Sequence, residues 1–207
     1  MNKYVEKILE YAKRLAEEGI NEDTACISMR AHKGYMYITK LGVALDSLKE
    51  EDVLKIDMAS ATDKEYILHA NIYTSKETAN AVCHVHPKWV NPVAKVGVTI
   101  PTVLDDMAQI VGPKCKTAKN NVDNIVKNLK GHNSTLIKDD GCITTGRSLD
   151  EAYTCVLVLD KAAHCFVASA VVGKNVTINL FEAKLMQFVY QKKYSKANQA
   201  NLQVEEE

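Results

Sequence analysis

The sequence predicts a single α/β domain, in the broad sense that includes α+β. Three observations carry this. Apolar residues recur at helical spacing in some stretches and at strand spacing in others, and the two patterns interleave along the chain. No internal repeat and no Pro/Gly/Ser-rich linker divides it. A length of 207 residues suits one sizeable core, whereas two domains would be cramped.

The elements follow in order. Tyr4, Val5, Ile8, Leu9, Ala12 and Leu15 keep helical spacing and Gly19 follows as a stop, so a first amphipathic helix is expected there. YMYIT (35–39) and VLKID (53–57) are short and β-favouring, and read as strands. EYILHANIYTS (65–75) reads as a helix. NAVCHVH (80–86) reads as a strand bounded by Pro87, with a short helix after it near Pro92. The segment after Pro101 shows no clear period. DNIVKNLKG (123–131) is a helix closed by Gly131, and TLIK (135–138) is a strand turning at Asp139, Asp140 and Gly141. Ser148 and Glu151 make a capping box ahead of a long apolar helix to about residue 173. Residues 181–196 form a last long helix, and the polar end beyond it frays.

Composition excludes little but sets a frame. Hydrophobic residues are 46% and charged residues 25% of the chain, which is ordinary for a globular protein. Lys plus Arg equals Asp plus Glu at 26 each, so no general pull toward nucleic acid or an acidic membrane is expected. No apolar run reads as long enough to span a bilayer, and the N-terminus lacks a signal-peptide core, so a cytoplasmic location is expected. The six cysteines form no CxxC pair and sit mostly in apolar context, so reduced, buried thiols are expected.

His84 and His86 are the chemical signal. Residues i and i+2 of a strand share a face, so both imidazoles can aim at one point from a rigid support. Divalent metals that accept imidazole need three or four ligands, so partners are required. Glu65, His69, Asp139 and Asp140 are the candidates. Glu65 and His69 share a helix face at i and i+4. Each also has a plainer reading: a helix-start acid for Glu65, a buried histidine bonded to a neighbour for His69, a turn for Asp139 and Asp140. Spacing leaves the choice open.

Several pieces together resemble the class II aldolase and adducin-head family. They are NEDTACISMR (21–30), ITKLG (38–42), KEYILHANIY (64–73), TSKETANAVCHVHP (74–87), IPTVLDDMAQIVG (100–112) and KDDGCITTGRSLDEAYTCVLVLDKAA (138–163). They come in family order and cover nearly the whole chain. The resemblance implies one domain over residues 1–200 with a polar tail at 201–207, built on a central, mainly antiparallel sheet flanked by helices. It implies a homo-oligomer, with a tetramer favoured, and active sites between subunits. It implies a divalent metal, zinc first and manganese or iron as alternatives, held by His84 and His86 with Glu65 as acid/base. The implied reaction is retro-aldol cleavage of a small sugar or sugar phosphate through a metal-stabilised enediolate. A sugar-phosphate epimerase, or a silent relative serving as an assembly module, are the alternatives. Substrate contacts would come from Thr24, Gly42 and Lys64.

The chain departs from the family pattern in four places. Asp140 stands where the family has its third histidine, so the third ligand is either Asp140 or Glu65 itself. DTACIS lacks the glycines of the usual phosphate loop, and Asp23 adds like charge. Leu41 replaces a hydroxyl residue, and Asp63 precedes Lys64 where a serine is usual.

Overall fold

The computed structural model describes residues 2–174 and 177–204. Helix α1, Lys3–Glu17, is capped by Asn2, whose side chain accepts from the Tyr4 amide, and it buries Val5, Ile8, Ala12 and Leu15. Strand β1, Cys26–Arg30, pairs with β2, Tyr35–Thr39, which pairs with β3, Val53–Asp57. Helix α2, Lys64–Ser75, follows, and then β4, Ala81–Val85. Helix α3, Val90–Val96, ends on Gly97 in the left-handed region.

The stretch with no clear period contains two-residue strands β5, Ile100–Pro101, and β6, Lys114–Cys115, around a π-helical turn, Met107–Val111. Asp106 caps that turn and also pairs with Lys161. Strand β7, Thr117–Ala118, helix α4, Val122–Leu129, and strands β8, Ser134–Ile137, and β9, Cys142–Gly146, complete the sheet. Helices α5, Leu149–Val171, and α6, Leu180–Val204, close the chain.

The main sheet has seven strands in the order β3-β2-β1-β4-β9-β8-β7. Every pairing is antiparallel except β7 with β8. Strand β4 is therefore the middle strand. Helices α1, α3 and α5 share one hydrophobic cluster with Ala81, Cys83 and Val85 of β4. Helices α2 and α4 share the other with Val82. Alternation along β4 thus puts His84 on the α2/α4 side. By the same alternation Ile27 of β1 faces α1, while Cys26 and Ser28 face α2.

Four sequence expectations need correction. CISMR and CITTG are strands to which the sequence pattern assigns no element; both are short and carry buried polar residues, Ser28, Thr144 and Thr145, that break the apolar signal. The capping box is half made: the Glu151 amide donates to Ser148 Oγ, while the Glu151 carboxylate accepts from the Arg147 amide and guanidinium. Helix α5 is long and apolar enough to cross a membrane by length and composition, because the Asp160–Lys161 pair does not break the run. In the fold it packs against β4, β9, α1 and α3. Helix α6 runs past 196 to Val204, and residues 205–207 of the expected tail lie outside the described residues. The six cysteines are free, five of them buried.

Candidate metal centre

The site forms where the end of β4 meets the first turn of α2 and the β8–β9 turn. Asp63 caps α2 by accepting from the Glu65 amide at 2.8 Å, which fixes the first turn and sends Glu65 toward the sheet. Glu65 Oε1 then accepts from two rings: His69 Nε2 at 3.0 Å and His84 Nδ1 at 2.7 Å. No partner for Oε2 is found among the described residues.

The other side of His84 faces the turn. Its Nε2 lies 3.0 Å from the Asp140 carbonyl oxygen and 3.8 Å from Asp140 Oδ1, while His86 Nε2 lies 3.2 Å from the same Oδ1. Asn120 donates to Asp140 Oδ2 at 2.8 Å and so leaves Oδ1 turned to the histidines. The backbone makes this approach possible. Asp139 and Gly141 both adopt left-handed φ, 62° and 64°. A Cβ on residue 141 would sit 2.3 Å from the Val85 carbonyl and 2.7 Å from His86 Cδ2, so only glycine lets the turn lie this close to β4.

Charge follows from these contacts. Burial pushes the Glu65 carboxyl up, but the hydrogen bonds from His69 and His84 outweigh it and hold the group well below the usual carboxylate range. Burial pulls His84 down, while Glu65 and then Asp140 more than reverse this and favour the imidazolium. The His86 hydrogen bond lowers Asp140 against a smaller effect of burial.

His84 Nε2, His86 Nε2 and Asp140 Oδ1 fit a divalent cation. One donor atom from each residue lies within 4.8 Å of the others. Donors held about 2.1 Å from a tetrahedral zinc stand roughly 3.4 Å apart, and the separations of 3.2 and 3.8 Å bracket that figure. Glu65 holding Nδ1 while Nε2 faces the centre is the carboxylate–histidine arrangement that orients a metal-ligating ring. His86 Nδ1, by contrast, is buried with no partner among the described residues. Cys26, Glu65 and His69 also lie within 4.8 Å of one another. Burial raises the Cys26 thiol, and the Glu65 oxygen facing His69 is already doubly bonded, so this second trio is a poor donor set.

The structure thus brings Glu65, His84, His86 and Asp140 together, and places His69 as a buried histidine bonded to its neighbours. Thr24, Gly42 and Lys64 are exposed. Gly42 donates its amide to the Asp23 carbonyl at 2.9 Å, so that N–H is not free for a phosphate. Sequence reading missed Asn120, Ser28 and Tyr73. Ser28 carried a signal, since it shares strand parity with Cys26 and so faces α2.

The family model described as class II aldolase and adducin N-terminal domain matches residues 6–167. Decarboxylase NovR of Streptomyces niveus is 24% identical over 74% of this chain; the chain spans 63% of that relative's length. L-fuculose phosphate aldolase of Escherichia coli strain K12 is 23% identical over 86% of this chain and 88% of its own. A solved L-fuculose 1-phosphate aldolase superposes with TM-score 0.86 at 19% identity, covering 92% of this chain and 97% of its own. The likeness to that structure is one of fold.

Proposed function

The chain belongs to the class II aldolase and adducin N-terminal domain family, and from that premise we propose that it is a divalent-metal-dependent lyase performing retro-aldol cleavage on a small sugar or sugar phosphate. One observation carries the reading: two imidazole nitrogens and one carboxylate oxygen converge at the end of β4, with a helix-borne glutamate gripping the back of the nearer ring. His84, His86 and Asp140 would hold the cation, zinc in first place and manganese or iron next. When bound, such a cation supplies a Lewis acid that polarises a carbonyl oxygen.

The remaining steps fall to side chains. A ligating imidazole must be neutral at its donor nitrogen. A neutral His84 removes one of the causes that lower Glu65 and leaves the hydrogen bonds from His69 and His84 in place, while burial opposes them, so the carboxyl moves up toward a range where it can accept and return a proton. Glu65 Oε2 is the oxygen left for that proton, because Oε1 is committed to His69 and His84. Thr24, Gly42 and Lys64 would meet the far end of the substrate. Asp23 and Asp63 stand beside them and the Gly42 amide is occupied, so an unphosphorylated end suits this rim better than a phosphate. The working unit is proposed as a homo-oligomer.

The test begins with metal content. Protein purified without added metal is expected to carry close to one divalent ion per chain, and His84→Ala and His86→Ala to lose it. A metal-free wild type that also fails to take up zinc would end the lyase reading. Ketoses and ketose 1-phosphates are then screened for aldehyde release. Glu65→Gln is expected to keep its metal and lose turnover by at least about 100-fold.

A further inference from the structure

A chain of buried polar groups stands behind Glu65. Tyr73 Oη lies 2.7 Å from Ser28 Oγ, and Ser28 Oγ lies 2.7 Å from His69 Nδ1. His69 Nε2 reaches Glu65 Oε1 at 3.0 Å, and the same oxygen takes His84 Nδ1 at 2.7 Å. Helix α2 supplies Glu65, His69 and Tyr73 at i, i+4 and i+8, one stripe along the helix, and β1 supplies Ser28 beneath it. Ser28 and His69 are fully buried and Tyr73 is 1% exposed, so the protein itself must satisfy these groups.

Donor accounting gives the chain a direction. A carboxylate oxygen flanked by two ring nitrogens can only accept, so His69 Nε2 carries a hydrogen. The Tyr73 hydroxyl has Ser28 Oγ as its one acceptor among the described residues, so the Ser28 hydroxyl donates onward and His69 Nδ1 accepts. Ser28 Oγ is left to accept from the Tyr73 hydroxyl. Run the other way, the Tyr73 proton would be buried with no acceptor among the described residues, and an unmade buried hydrogen bond is destabilising. The order Ser–His–acid suggests a nucleophile. Burial excludes it: Ser28 has no exposed surface, and its oxygen is bonded on both sides.

The geometry points to Tyr73, Ser28 and His69 as positioning residues, a one-way hydrogen-bond relay that locks Glu65 Oε1 against His84 Nδ1 and leaves Oε2 for the reacting proton. The use of Glu65 rests on the proposed function. The relay does not, since it is complete without metal or substrate.

The test therefore uses metal-free protein. Long-range proton–nitrogen spectra of the 15N-labelled full chain at neutral pH read the two ring nitrogens of each histidine. His69 is expected to carry its hydrogen on Nε2, with Nδ1 a hydrogen-bonded acceptor. Ser28→Ala removes the donor: the Nδ1 resonance is expected to move to the position of an unbonded nitrogen, with a matching shift at His84 Nδ1. Ser28→Thr restores the hydroxyl and is expected to restore the wild-type pattern. Tyr73→Phe, which deletes one oxygen from a ring that stays buried, is expected to shift the same two signals and serves if Ser28→Ala fails to fold. A hydrogen on His69 Nδ1 in the wild type would overturn the relay. So would a perturbation in Ser28→Ala and Tyr73→Phe that stops at His69, or one that is larger in Ser28→Thr than in Ser28→Ala, as mere packing requires. A wild type that binds no zinc but shows the expected pattern would sink the proposed function and leave the relay standing.

Discussion

Asp140 puts a short carboxylate where the family resemblance leads one to expect a longer imidazole, and the surrounding residues make up the difference in reach. Left-handed φ at Asp139 and Gly141 brings the turn against β4, and Asn120 takes Oδ2 so that Oδ1 alone faces the histidines. Asn120→Ala is therefore expected to weaken zinc binding by about 10-fold, read by chelator competition, with little change in thermal stability because the bond is at the surface. Protons provide a second check on the Glu65–His84 contact. Glu65 is depressed in the folded state, so its contribution is present above the unfolded value of ~4.3 and fades as pH falls toward the lower folded one. His84 is raised, so its contribution is full below ~6.5 and is lost as pH rises through the folded value. Metal-free protein is expected to gain most from this pair between about pH 5 and 6. Urea denaturation across pH should show that maximum flattened in Glu65→Gln, with a loss at its centre on the order of 1–3 kcal/mol. The site residues were legible in the sequence where a pattern displays direction, as the i, i+2 histidines do. Asn120 was not, because nothing in a linear reading brings an exposed asparagine beside a turn twenty residues later.

Secondary-structure elements were readable where one face is plainly apolar and hidden where strands bury polar side chains. Helix α1 and strands β2 and β3 follow their periodicity closely, and α2 begins where the Asp63 cap places it. Strands β1 and β9 flank the central strand, yet their inward positions include Ser28 and Thr144, whose hydrogen bonds are tertiary. Ser28 bonds α2 and Thr144 bonds the Ala152 carbonyl of α5, so the partners that make a polar residue acceptable in a strand lie far along the chain. The β8–β9 turn is the element whose backbone the site depends on most. Gly141→Ala would add a Cβ 2.3 Å from the Val85 carbonyl at a left-handed φ, so both the turn and the end of β4 must move. The expected result is a destabilisation of about 2 kcal/mol or more in equilibrium unfolding, together with loss of zinc binding. Gly34→Ala is the control: it has the same sign of φ but open space around the added carbon, so it should cost less and leave zinc binding unchanged.

At the scale of the whole molecule, one surface does not suit an isolated chain. Helix α6 buries Ala183 and packs on the π-helical turn at Met107–Val111, yet Phe181 is 79% exposed, and Leu185, Phe188 and Val189 are also exposed. Phe181, Leu185, Phe188 and Val189 fall at i, i+4, i+7 and i+8, a single stripe that stays about half exposed or more, with Leu185 and Val189 bordering a shallow cleft beside Gln109. Scattered apolar side chains on a surface need no explanation, but a continuous stripe marks a contact. A helix stripe can meet a copy of itself across a two-fold axis, which closes the contact and limits growth. The prediction is that light scattering gives a mass at least twice the 23.0 kDa of one chain, and that Phe181→Glu with Phe188→Glu lowers it. The variant should keep its far-ultraviolet circular dichroism, because neither ring is part of the core. A wild type that runs as a monomer at tens of micromolar would remove the self-pairing argument. Zinc binding measured on the dissociated variant then separates two arrangements. Retained affinity means that His84, His86 and Asp140 suffice within one chain, as the distances between them imply, while lost affinity means that a neighbouring chain holds the site in shape.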